Sequence, residues 1–181
     1  MKKNIAISIL VLMFSGGILV AEPNDDLIYE AMVGQINGVK TALSKGADVN
    51  VNDENGWTAL MMASMNGHTE TVKLLIAKGA DLNAKSQLGM TALILASEYG
   101  HTEIAKQLTS KGVDLNAKNN DGFTALMVAS RDGRTEIAKL LIAKGADIHA
   151  KDKFGETALM MANRYNRIDI ARLLLAAGAR K

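Results

Sequence analysis

Two histidines 33 residues apart, His68 and His101, are the first side chains here whose type and spacing could do chemistry, since paired imidazoles bind transition metals and move protons near neutral pH. Both sit in the same wording, "GHTE". If that wording marks equivalent positions of stacked helical units, the two rings stand about 8 to 10 Å apart. A zinc ion with bonds of about 2.1 Å cannot bridge them, so both are read as hydrogen-bonding the turn before a helix. His149 falls in register with Asn50, Asn83 and Asn116 and is read as a turn residue. The segment "GQINGVKT" at 34–41 holds the materials of a phosphate-binding loop, which needs G-x-x-x-x-G-K-[ST] after a strand. Gly38 comes one residue early and Val39 separates it from Lys40. Asp81, Asp114 and Asp147 recur at one spacing, as scaffold residues do, and no Ser, His and Asp set converges. With no Cys, thiolate metal sites, disulfides and cysteine nucleophiles are excluded. The expectation is a chain with no catalytic residue, metal ligand or cofactor. Met61, Met62, Met127, Met160 and Met161 are oxidisable, which leaves room for an oxidant-related role. Ile94 and Leu95 fill the same positions in one unit, so gap filling between helices is the preferred reading.

The elements that position these residues repeat. "TALMMAS" at 58 returns as "TALILAS" at 91, "TALMVAS" at 124 and "TALMMAN" at 157. Gly56, Gly89, Gly122 and Gly155 keep the same period, as do the triplets "GAD" at 46, 79 and 145 and "GVD" at 112. A fixed period of this length marks a stacked repeat architecture. Each unit reads as two short helices. The Thr58 hydroxyl caps the first and Gly67 ends it in a left-handed conformation. Thr69 is expected to cap the second, with Glu70 at its positive end and Lys78 followed by Gly79 at its negative end. Leu60, Ala63, Val72 and Leu75 supply the buried face, and the small Ala63, Ala96, Ala129 and Ala162 allow close approach of neighbouring helices. A pair of helices of about ten residues cannot bury its own apolar surface, so stability requires each unit to cover the next.

Composition agrees with one such array. The chain has 181 residues, 48% of them hydrophobic, enough for a sizeable core. It opens "MKKNIAISILVLMFSGGILVAEPNDD", the order of charged, apolar and small-residue regions found in a secretory signal peptide. Cleavage after Ala21 is expected. The alternative is an uncleaved membrane anchor, because residues 5–21 reach the short limit of roughly 17 residues for a spanning helix. Without Lys2 and Lys3 the 21 basic residues become 19, equal to the 19 acidic ones. A neutral chain draws neither nucleic acid nor an anionic membrane towards it.

The units resemble ankyrin repeats. The family's G-x-T-P-L-H-x-A-A, G-H-x-E-I-V and L-L-x-x-G-A-D-V-N-A are matched by "GWTALMMAS", "GHTETV" and "LLIAKGADLNA", over about 155 of the 181 residues. The family's Pro is Ala59, Ala92, Ala125 and Ala158, and its His is Met61, Ile94, Met127 and Met160. The resemblance implies an all-α repeat solenoid of helix-turn-helix units joined by β-turn or hairpin loops. The organisation is a leader at 1–21 and one domain at 22–181, with repeats at about 22–52, 53–85, 86–118, 119–151 and 152–181. Polar residues in the first unit (Asp25, Asp26, Glu30) and in the last (Asn163, Arg164, Arg172) read as solubilising caps.

Function in such a stack is recognition by turn tips and the concave face of the first helices. The variable positions there are Trp57, Met65, Leu88, Met90, Tyr99, Phe123, Arg131, Phe154, Arg164 and Tyr165, which include five of the seven aromatics. Aromatics outside the repeating apolar positions are the composition of an interface hot spot. The expected partner is another protein, bound by a monomer in the periplasm or secreted fraction without enzymatic activity. The alternative is a protective or immunity factor that stabilises or inhibits one exported enzyme or toxin, oxidant defence included. Fusing residues 1–25 to a reporter active only outside the cytoplasm should give an active product with the leader removed. A full-length cytoplasmic product would contradict export, and a full-length membrane-bound one would point to the anchor.

Overall fold

The computed structural model describes residues 23–180, so the expected leader lies outside the described residues. Among the described residues ten helices follow one another in pairs: α1 Pro23–Val33 with α2 Ile36–Ser44, α3 Ala59–Asn66 with α4 Thr69–Ala77, α5 Ala92–Tyr99 with α6 Thr102–Ser110, α7 Ala125–Asp132 with α8 Thr135–Ala143, and α9 Ala158–Arg164 with α10 Ile168–Ala176. Among the described residues the extended structure is a single bridge, Asn52 to Thr58, in the first full hairpin turn.

Local chemistry sets the helix limits. The hydroxyls of Thr58, Thr91, Thr124 and Thr157 accept from the backbone N–H three residues on, at 3.3, 3.2, 3.3 and 3.4 Å. Each satisfies a donor that a helix start leaves without a partner. The family's His is therefore not needed for this cap. Gly67, Gly100 and Gly133 end their helices at φ of 80°, 83° and 75°, and Asn166 occupies the same register in the last repeat at φ 54°. Asn is among the few residues with a side chain that tolerate this region.

The second helices begin differently from expectation. Thr69 lies inside α4; the cap position is His68, whose side chain caps nothing. The backbone turn at Gly67 already sets the register, through Thr69 N–H donating to Gly67 O at 2.9 Å. The His68 ring is thereby released to cross to the preceding repeat, where its Nε2 lies 3.0 Å from Met32 O. A carbonyl only accepts, so Nε2 carries the proton. His101 makes the same bond to Met65 O at 3.0 Å. Arg134 and Arg167 repeat it through Nε, to Glu98 O and Arg131 O, both at 3.1 Å. Each crossing side chain lies over the helix-ending glycine of the repeat before. A Cβ on Gly67 would stand 2.6 Å from the His101 ring.

Two further ladders join the repeats. The side-chain oxygens of Asn50, Asn83 and Asn116 accept from the backbone N–H of Asp81, Asp114 and Asp147 at 2.7, 2.9 and 2.8 Å. Asn24 starts the row by accepting from Asp48 N–H, and His149, in the turn as expected, has no later Asp opposite it. At the turn tips, Gln87, Asn120 and Lys153 donate backbone N–H to Asn55, Leu88 and Asp121 carbonyls.

The core runs through all five repeats. α3, α5 and α7 each bury six of their eight residues, whereas α4 and α8 bury three of nine. Ala63, Ala96, Ala129 and Ala162 are fully buried, so successive first helices pack closely while successive second helices approach far less. A tight row beside a loose row bends the stack, with first helices and turn tips on the inner side. Met61, Met62, Met127 and Met161 are buried in it as gap fillers. The last repeat is only partly a polar cap: Met160 is 42% exposed where Met127, one repeat earlier, is 1% exposed. Leu126, buried in α7, touches this continuous core, and Leu126→Ala should cost about 2 to 5 kcal/mol. Gly67→Ala should cost about 1 to 2 kcal/mol from left-handed strain alone, and more through its collision with His101. Urea unfolding of each variant checks both; an unchanged midpoint for Leu126→Ala would remove it from the core.

Candidate functional site

Each turn is built on one side-chain acceptor. Asp53, Ser86, Asn119 and Asp152 accept from the backbone N–H four residues on, belonging to Trp57, Met90, Phe123 and Glu156, at 2.8, 3.2, 2.9 and 2.8 Å. This closes the turn so that the residue four on folds in beside the first helix, and the two tip residues stand out. Leu88 and Phe154 are tip residues and are 62% and 83% exposed. From the last turns of the first helices come Met65, half-buried, and Tyr99, 51% exposed, and directly after α9 comes Tyr165, 46% exposed.

Trp57, Met90 and Phe123 are half-buried. Met90 and Phe123 pack partly against the core, and Met90 Sδ accepts from Asn119 Nδ2 at 3.6 Å. The inner surface thus has an exposed layer of Leu88, Tyr99, Phe154 and Tyr165 over a half-buried layer of Trp57, Met90 and Phe123. Tyr99, at the far end of α5, lies in the third repeat with Leu88; Phe154 and Tyr165 lie in the fifth.

Arg131 organises the middle. Its Nη2 lies 3.0 Å from Glu98 Oε1 of the preceding repeat, its Nε 2.8 Å from Asp132 Oδ1, and its guanidinium stands 5.7 Å over the Phe123 ring centroid. The side-chain hydrogen bond to Asp132 leads in holding the Arg131 pKa above its ordinary range, against partial burial, with Glu98 adding to it. Arg131 is therefore a fixed cation with its charge already answered. Arg164 is held similarly by Glu156 of its own turn, with Nη1 at 2.7 Å from Oε2. The Glu98 to Arg131 pair was missed in the sequence, although opposite charges 33 residues apart signal contact in an array of this period.

Among the described residues no three His, Asp or Glu side chains are grouped to hold a metal ion, and no helix is long and apolar enough to cross a membrane. The carboxylates of Asp81, Asp114 and Asp147 accept from the N–H groups of Asn83, Asn116 and His149 in their own turns. What this surface can do is bury rings, aliphatic side chains and turn-tip backbone against another molecule.

A protein-family model described as ankyrin repeats (3 copies) matches residues 27–119 and 112–181. None of the curated proteins compared matches the chain. If the pair between Arg131 and Glu98 couples the third and fourth repeats, Arg131→Met should lower stability by about 1 kcal/mol, a partly exposed pair being discounted for screening. Adding Glu98→Gln to that variant should then cost less than Glu98→Gln alone, as a double-mutant cycle on urea midpoints would show.

Proposed function

The chain belongs to the ankyrin-repeat family, and on that premise we propose that it is a non-enzymatic module that binds one other protein through its turn tips and the inner face of its first helices. The observation that carries this reading is where the large apolar side chains fall. Positions buried between repeats take Leu, Ile, Val, Met and Ala; of the large apolar side chains left exposed, Leu88, Tyr99, Phe154 and Tyr165 stand at tips or first-helix ends, whereas Ile168 and Leu175 lie on α10, which no later repeat among the described residues covers. Rings at such positions lose little conformational freedom when a partner covers them, which is why they recur as interface anchors. Trp57, Met65, Met90 and Phe123 form the half-buried floor, and Arg131 and Arg164 are fixed by their own carboxylates. Four repeats at about 10 Å spacing extend roughly 30 to 40 Å, enough for an interface of about 800 Å² per partner.

The lysine-led apolar segment at 1–21 supports a periplasmic or secreted setting for this binding, with the module acting as a monomer. A pull-down from periplasmic extract, with the folded chain as bait, tests the reading. Wild-type chain and a back-face control, Lys106→Ser, should capture the same stoichiometric protein. The double variant Leu88→Ser and Tyr99→Ser should lose it, by about 2 kcal/mol or more for each anchor, while melting at the wild-type temperature. Equal capture by the double variant would place recognition elsewhere.

A further inference from the structure

We propose that the partner segment held on this inner surface is cationic, carrying lysine or arginine among apolar side chains; this rests on the reading of the inner surface as the recognition face. The balance of charge over residues 22–181 conceals a strong polarisation. In repeats two to five, the turn tips and first helices (53–66, 86–99, 119–132 and 152–165) carry seven carboxylates against three cations. The second helices and the loops after them (67–85, 100–118, 133–151 and 166–181) carry seven against fourteen. The exposed aromatics Tyr29, Tyr99, Phe154 and Tyr165 all lie on first helices or turn tips. The acidic side and the side with exposed rings are therefore the same.

The acidity is also graded along the stack. α1 and residues 53–66 hold five carboxylates and no cation, whereas residues 152–165 hold two of each. Of the three cations on this side, Arg131 and Arg164 are occupied by Glu98, Asp132 and Glu156. Glu54 and Asp121 are exposed and enter no ion pair among the described residues. They leave negative charge at the tips on either side of exposed Leu88. The molecule itself shows how such a surface holds a cation: the Arg131 guanidinium lies over Phe123 and between two carboxylates. Unpaired Glu54 and Asp121 flank the third repeat, whose Tyr99 supplies an exposed ring. A ring face and a carboxylate attract one cation together, and an acidic partner would meet like charge instead.

The test is selection of random dodecapeptides displayed on phage against the folded chain at low ionic strength. Enriched sequences should carry two or more lysines or arginines among apolar residues. A selected peptide, made synthetically, should bind about tenfold more weakly to the double variant Glu54→Gln and Asp121→Asn, as expected for two exposed pairs. Its association should slow as salt is added, and the variant's melting temperature should match wild type. Basic peptides that bind the double variant unchanged would overturn the proposal. Uncharged or acidic winners that are lost with Leu88→Ser and Tyr99→Ser would overturn the cationic partner and leave the inner-surface reading standing. Winners indifferent to both pairs of substitutions, or no enrichment at all, would overturn both.

Discussion

One side-chain N–H, laid across a left-handed glycine onto a carbonyl of the preceding repeat, is the contact on which the rest of the stack depends. It occurs at His68, His101, Arg134 and Arg167, and the acceptors are Met32, Met65, Glu98 and Arg131. A single repeat cannot cover its own apolar faces, so its stability is borrowed from its neighbours and depends on their register. The crossing bond sets that register where the two helices of a repeat meet. Glycine is favoured beneath it by the positive φ that ends the helix, and beneath the histidines also by the absence of a Cβ, which would stand 2.4 and 2.6 Å from the rings; beneath the arginines the gap is 3.0 to 3.1 Å and the positive φ weighs more. Replacing His by Arg halfway along the chain keeps the N–H and so keeps the device.

From this register follows the division of labour between positions. First helices locked at close spacing need Ala and a continuous apolar fill, so the buried positions differ little from repeat to repeat. Tip residues and the last turn of each first helix meet no such demand, since backbone bonds between tips already join them. Their side chains are free to differ, and there the chain places Leu88, Tyr99, Phe154 and Tyr165. The charges divide along the same line. Cations gather around the second helices and the loops after them, where lysines favour helix C-termini, and carboxylates gather at the tips. On the proposed reading, specificity resides in what covers the face that carries these side chains.

Much of the fold was legible because its signals are local or periodic. Thr58 as a cap, Gly67 as a left-handed terminator and Ala63 as a close-packing residue each act within one turn of chain, and the period carries them to the other repeats. Thr69 misled for the same reason: it has the chemistry of a cap, but the backbone turn at Gly67, two residues earlier, starts the helix at Thr69 itself. The role of His68 is read against a carbonyl 36 residues away, which no local pattern reveals. A usable signal did exist, because His, His, Arg and Arg at one register share an N–H donor at comparable reach. On the candidate surface, sequence position picked out the variable residues but not their depth. Trp57 and Phe123 are half-buried, and Arg131 covers one of them, because depth there depends on how the turn folds against its neighbour.

On the proposed reading, the protein works by presenting the face formed by its turn tips and first helices. Amide hydrogen exchange on the chain, alone and saturated with the protein it captures, distinguishes this face from the outer row. Binding should slow exchange at the turn tips 53–57, 86–90 and 119–123 and in the last turns of α3, α5 and α7, with α4, α6 and α8 unchanged. Slowing confined to α4, α6 and α8 would contradict it and assign recognition to the outer row.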